Sequence, residues 1–377
     1  MRRGACPTLD VPMATGDGLL ARLPPAAMPP SAWLSLAEAA QQAGNGLLDI
    51  TARGSVQIRG LRDDTLALAA SLVPADWPRD ALVMTSPLAG EALDEVADPR
   101  PLAARLAAAA PAGLPAKTSL LVDGGGALHL ADDAADLRLV ARPDGWWVRC
   151  GETWLGLGDA EAALAAARKL LAAMGEGETR RPPAGSQAIA AQLLRAAHPP
   201  APSHPAETIG LHPLRAGVAL GVGLPFGRLE AAALAAFAAA SGARALRGAP
   251  GRVLLAIGVV NPDALRARAA ALGFITDPGD PRRRVAACTG TPGCASARVD
   301  TRALARDLAP LVPPDGFLHL SGCAKGCAHP RPATLTLVGM EGGLGLIRHG
   351  RAGDTVAASL LPGDARATLA REFAPHA

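Results

Sequence analysis

Cys288-Thr-Gly-Thr-Pro-Gly-Cys294, then Cys323-Ala-Lys-Gly-Cys327 after 28 intervening residues, is the stretch whose reading decides this chain. The spacing is C-x5-C followed by C-x3-C. Four thiolates from one short region suit a [4Fe–4S] cluster, which takes four cysteine ligands. The glycines and the proline suit a chain that bends tightly around a metal, because Gly tolerates positive φ and Pro fixes φ. Zinc is the competing reading, although its cysteine pairs are usually separated by two to four residues. Six cysteines in 377 residues are too sparse for a disulfide scaffold.

Working outward, a hydrophobic content of 49% marks a globular chain with ample core rather than a disordered one. Aromatics make up only 3% and Tyr is absent, so Ala, Leu and Val must build that core. A net charge of +3 gives nucleic-acid binding little support. The basic start Met1-Arg2-Arg3 is not followed by the apolar run of a secretory signal. The apolar segments Val253–Val260 and Ala231–Ala240 are far shorter than the ~20 residues of a membrane span. The expectation is a soluble, cytoplasmic protein in a reducing compartment.

The chain runs twice through one plan. In the first pass, Gly18–Leu23 reads as a strand, and Ser35–Ala43 as a helix capped by Ser35 and stopped by Gly44. Leu48–Gly60 alternates like a strand. The second pass repeats the order with Gly217–Val222, the helix Leu229–Ala240, the strand Arg252–Val260 and a helix from Asp263 to Leu272 capped by Asn261-Pro262. Each βαβ unit resembles half of a ferredoxin-like sandwich. A longer α/β segment follows each unit. The first closes on a helix, Asp159–Met174, and the second carries the cysteines. The expected division is 1–75, 76–175, a linker 176–207 around a short helix Gln187–Ala197, then 208–279 and 280–377.

The paired cysteine words resemble the cluster motif of the sulfite and nitrite reductase family. Several further words resemble its cobalamin-pathway branch, the precorrin-3B synthases. They are Gly4-Ala-Cys-Pro7, Gly16-Asp-Gly-Leu19, Thr51-Ala-Arg-Gly-Ser-Val-Gln-Ile-Arg-Gly60, Ser86-Pro-Leu-Ala-Gly90, Leu224-Pro-Phe-Gly-Arg228 and Ser321-Gly-Cys-Ala-Lys-Gly-Cys-Ala-His-Pro330. The resemblance implies an α+β fold of duplicated nitrite/sulfite reductase-like architecture. Two ferredoxin-like halves pair around a pseudo-twofold axis, and two α/β segments flank a tetrapyrrole pocket. It also implies oxygen-dependent hydroxylation of precorrin-3A with lactone formation to give precorrin-3B. A [4Fe–4S] cluster and a mononuclear non-haem iron accompany that activity, with electrons from NADH through a separate reductase. The alternative is a sirohaem-dependent sulfite or nitrite reductase.

On this resemblance Cys288, Cys294, Cys323 and Cys327 ligate the cluster. A precorrin carries many carboxylates, and Arg and Lys are the side chains that bind them. Arg53 matches a tetrapyrrole-contacting arginine of the reductases, with an exposed strand arginine as the plain alternative. Arg59 is a second candidate, and Arg252 stands at the corresponding place in the second pass. Lys117 falls where the reductases carry the first of two active-site lysines, and the second position here is Ser119, a departure that weakens the reductase reading. Lys325 lies between two cluster ligands. Cys6 is either an iron ligand or a bystander, Cys150 reads as a buried apolar residue, and His329 is an iron ligand or a packing neighbour. The run Gly221–Gly227 has a proline inside and the wrong spacing for a dinucleotide loop.

Overall fold

The computed structural model describes residues 7–79, 82–177, 180, 185–191, 193–194 and 204–374. Two antiparallel sheets form the centre. In the first, strands Met13–Thr15, Gly18–Leu23, Val56–Leu61 and Leu47–Ile50 lie in that spatial order. In the second, the order is Gly210–Pro213, Val218–Gly223, Val253–Ile257 and Ala245–Ala249. Helices Pro30–Gln42 and Ala231–Ala240 pack on each other between them. Their apolar faces share one core that runs through both halves and includes Trp33, Leu36, Trp77, Phe237 and Phe274. Trp33 joins the halves directly, because its indole Nε1 donates to the carbonyl of Leu246 at 2.9 Å.

A strand exchange seals this pairing. Arg228–Glu230 belongs by sequence to the second half, yet it adds to the edge of the first sheet, with Arg228 opposite Asp49. The expected helix over Leu229–Ala240 therefore starts at Ala231. One expected single strand is a hairpin and another is shortened. Leu48–Gly60 is strand Leu47–Ile50, a turn closed by Thr51 N–H to Ser55 O at 2.9 Å, and strand Val56–Leu61. The turn length keeps the alternation in phase, so Leu48, Ile50, Val56 and Ile58 all remain buried. Arg53 consequently sits on a turn, not within a strand. Arg252–Val260 likewise begins on a three-residue loop, and the strand is Val253–Ile257. The first helix starts at Pro30 rather than Ser35, with proline in the opening turn where no N–H is needed. At 186–189 a single turn of helix stands where Gln187–Ala197 was expected, and 192 and 195–197 lie outside the described residues. Asp159 and Asn261 cap their helices as expected, accepting from Ala162 N–H at 2.8 Å and Ala264 N–H at 3.1 Å.

Each α/β segment folds into a five-stranded sheet with its strands in sequence order. The first comprises Val83–Thr85, Leu120–Asp123, Leu137–Arg142, Gly145–Cys150 and Thr153–Gly158. The second comprises Val285–Ala287, Leu318–Ser321, Ala333–Met340, Gly343–Gly350 and Ala358–Leu360. In both, the first three strands are parallel and the rest antiparallel. Duplication thus holds at the level of strand order and direction. No helix among the described residues is long and apolar enough to cross a membrane.

Candidate cluster site and its approach

Parallel pairing brings the two cysteine words together. Val285–Ala287 and Leu318–Ser321 are adjacent parallel strands, with Ala287 opposite Leu320. Cys288 leaves the end of one and Gly322-Cys323 leaves the end of the other. Carboxyl ends of parallel strands are a usual place for a ligand site, because the loops diverge there. The Cys288–Cys294 loop closes on itself through Cys294 N–H to Gly290 O at 2.9 Å. Gly290 has φ +70° and is pressed against Thr301, where a Cβ would meet the backbone nitrogen at 2.6 Å. On the other side Gly326, φ +62°, shapes the return to Cys327.

The surroundings suit thiolate ligands. Gly322 N–H donates to Cys288 Sγ at 3.1 Å. Thr301 Oγ1 and Arg302 Nε donate to the Cys288 carbonyl at 2.8 and 2.9 Å. Room is left where sulfur needs it. A Cβ on Gly16 would lie 2.2 Å from Cys294 Sγ, and one on Gly322 would lie 3.4 Å from Cys288 Sγ. The Cys327 thiol is held above its ordinary range by partial burial of its sulfur, and then by the nearby Cys288, Cys323 and Cys294, with Lys325 opposing. Negative groups that discourage one another in this way are favoured together by a cationic metal core. Beneath the second loop, His319 is fully buried and neither ring nitrogen has a protein partner. Burial holds its imidazole down to about 4, so it stays neutral, and its ring stands 5.7 Å from that of His329. A sulfur-rich donor set, an amide aimed at a sulfur and side-chain-free glycines fit an iron–sulfur cluster. Among the described residues no three His, Cys, Asp or Glu, the four cysteines included, are grouped closely enough to hold a single metal ion. Cys6 lies outside the described residues, and Cys150 is buried with its thiol pushed up to about 11 by burial.

Hydrogen bonds and a β-bridge link the turns that bear Lys117, Arg53 and Arg252 to the loop of Cys327, the exposed member of the four. Lys117 is exposed on a turn closed by Thr118 N–H to Pro115 O at 3.1 Å. Two residues on, Ser119 Oγ donates to the Ala134 carbonyl at 3.4 Å. Arg53 Nη2 donates to the same carbonyl at 2.5 Å. Arg53 also bridges Pro250 of the second half, and its Nε lies 3.6 Å from the Asp133 carboxylate. Two residues further, Arg252 Nη2 donates to the carbonyl of Ala328, the neighbour of Cys327, at 3.4 Å. Lys325 is exposed, with its Nζ 3.0 Å from Ser296 Oγ. Lys117 and Arg252 are two of the four described non-glycine residues with positive φ, at +67° and +64°. That conformation costs about 1–3 kcal/mol and persists where surrounding structure enforces it, often at functional sites.

Arg59 is placed differently. Its guanidinium donates to both Asp17 oxygens, one at 3.0 Å, and lies 3.5 Å from Asp49. Sequence reading missed this network entirely. Arg228 pairs with Asp49 at 2.6 and 3.0 Å, and both arginines reach Thr289 Oγ1, at 3.4 and 3.2 Å. Burial would raise both carboxyls, yet the arginines hold them below the usual carboxylate range. Both Asp17 and Arg228 lie in words quoted above, but nothing local marks either as a partner. Among the cavities, one of about 470 Å³ borders Thr291 of the Cys288–Cys294 loop. One of about 50 Å³ is lined by Arg53, Arg247 and Thr85. Another of about 870 Å³, beside helix Ala365–Glu372, touches none of the expected site residues.

Residues 12–72 match the nitrite/sulfite reductase ferredoxin-like half domain. Along 93% of its length the chain is 39% identical to a precorrin-3B synthase from Sinorhizobium sp., covering 84% of that relative. This chain belongs to the precorrin-3B synthase family. It is an oxidoreductase by that membership. Its fold is similar to that of the Mycobacterium tuberculosis NirA protein, with a TM-score of 0.67 over 94% of this chain and 80% of that one. At 19% identity the likeness speaks to the fold alone.

Proposed function

We propose that this member of the precorrin-3B synthase family hydroxylates precorrin-3A with O2 and closes a lactone, giving precorrin-3B in aerobic cobalamin biosynthesis. One oxygen atom enters the meso carbon between rings A and D. The other leaves as water, taking two electrons that originate in NADH and arrive through a separate reductase. Cys288, Cys294, Cys323 and Cys327 hold a [4Fe–4S] cluster, which when bound supplies one-electron transfer. Arg53, Lys117 and Arg252 bind the substrate's carboxylates, with Arg able to take one bidentately and Lys acting as a point charge. Arg252, bonded beside Cys327, orients one edge of the ring toward the cluster. Lys325 adds positive charge next to two ligands, which favours the reduced cluster.

The observation that carries this reading is the contiguous path Lys117, Ser119, Ala134, Arg53, Pro250, Arg252, Ala328, which ends at the exposed Cys327. It joins the turns of the first half that bear Lys117 and Arg53 to the cysteines of the second. Anaerobically purified holoprotein, assayed for iron and sulfide, is given precorrin-3A, reductant and O2. The expected result is the hydroxylactone by mass spectrometry, from a brown protein with a broad cluster absorbance. An intense Soret band with sulfite or nitrite turnover would move the assignment to a sirohaem reductase. Bound zinc without iron or sulfide would remove the cluster.

A further inference from the structure

None of the four cysteines belongs to the first half, yet the first half grips the loop that bears two of them. Gly16 accepts the Ala295 N–H at 3.0 Å, and its bare Cα stands against Cys294 Sγ. Asp17, next in the same turn, takes both donors from Arg59 and is tied by Thr15 Oγ1 at 2.8 Å. Arg59 then reaches Thr289, the residue after Cys288. On the other flank Asp49 orients Arg228, which reaches the same hydroxyl. The Asp17 and Arg59 side chains are 2% and 13% exposed, so solvent competes weakly for the pair. With two carboxylates around it, the Arg59 charge is already neutralised, which leaves little for a substrate carboxylate.

We propose that the Thr15–Gly18 turn and the Asp17–Arg59 pair form a clamp that holds the Cys288–Cys294 loop closed on the cluster, and that Arg59 is a positioning residue rather than a substrate contact. Gly16 backs Cys294 at one end of the loop, and the arginines hold Thr289 at the other. The clamp sets how readily Cys294 lets go of iron. This inference rests on the cysteines being the cluster ligands.

Holoprotein is mixed anaerobically with a ferrous chelator, and the decay of visible cluster absorbance is timed for wild type, Gly16→Ala, Asp17→Asn, Arg59→Gln and the double variant Asp17→Asn/Arg59→Gln. The exposed pair Arg62–Asp64 provides the control Asp64→Asn. Each clamp variant is expected to release iron about tenfold faster, as breaking a shielded ion pair leaves its partner uncompensated. The double variant is expected to decay no faster than the Asp17 and Arg59 single variants, since both remove one interaction. If wild type binds iron and sulfide but all variants decay at its rate, the clamp is refuted while the cluster stands. Faster decay shared by Asp64→Asn, or by Trp33→Ala, which lowers stability in the core away from the cysteine loop, also overturns it. Wild type without iron and sulfide removes the ligand assignment itself.

Discussion

Replacing Glu95 with Gln tests the loop that follows Thr85. Glu95 is 6% exposed, accepts the Gly90 N–H at 2.6 Å and the Ser86 hydroxyl at 3.2 Å, and lies so close to Gly124 that a Cβ there would stand 2.2 Å from its Oε1. Burial raises its carboxyl from 4.5 to about 7, with the Gly90 and Ser86 bonds opposing. A folded-state value above the unfolded one means the native protein holds the proton more tightly. The resulting stability is fully present below pH 4.5 and is lost as pH rises through 7. At about 1.4 kcal/mol per pH unit, the whole span amounts to about 3 kcal/mol, of which about 2.5 falls between pH 5 and pH 8. Glutamine mimics the protonated acid and cannot ionise. Urea unfolding of both proteins, followed by tryptophan fluorescence at several pH values, is therefore expected to show the variant gaining on wild type by about 2.5 kcal/mol from pH 5 to pH 8. A difference that stays constant with pH would refute the reasoning. The consequence reaches the site, because Arg247 bonds the Thr85, Ser86 and Pro87 carbonyls and lines a cavity with Arg53.

Two further substitutions probe the seam and the strained lysine. Trp33→Ala removes a ring 1% exposed, its edge-on contact with Trp77 at 5.1 Å and its bond to Leu246, so a loss of about 3–5 kcal/mol is expected from urea midpoints. Lys117→Gly frees the turn from a positive φ, so stability is expected to hold or rise by up to about 1 kcal/mol. Its steady-state KM for precorrin-3A is expected to rise, and an unchanged KM would take Lys117 out of the binding set.

The sequence by itself determined the local elements and the duplicated plan. An apolar run marked strand Gly18–Leu23, and side-chain caps marked the helices that begin after Asp159 and Asn261. These signals are short-range, since each depends on residues within one or two turns of chain. The cysteine spacing pointed to four ligands for the same reason. Tertiary structure alone decided how the two cysteine words meet, through parallel pairing of Val285–Ala287 with Leu318–Ser321. It moved Arg53 and Arg252 from strands onto turns, because alternation continues in phase across a hairpin and cannot mark where the chain reverses. It also turned Arg59 inward to Asp17 and joined Asp49 to Arg228, 179 residues away. Charges carry no periodicity that names their partners. Which carboxylate neutralises which arginine, and so which cations stay free to bind substrate, is set only when the two halves close on each other.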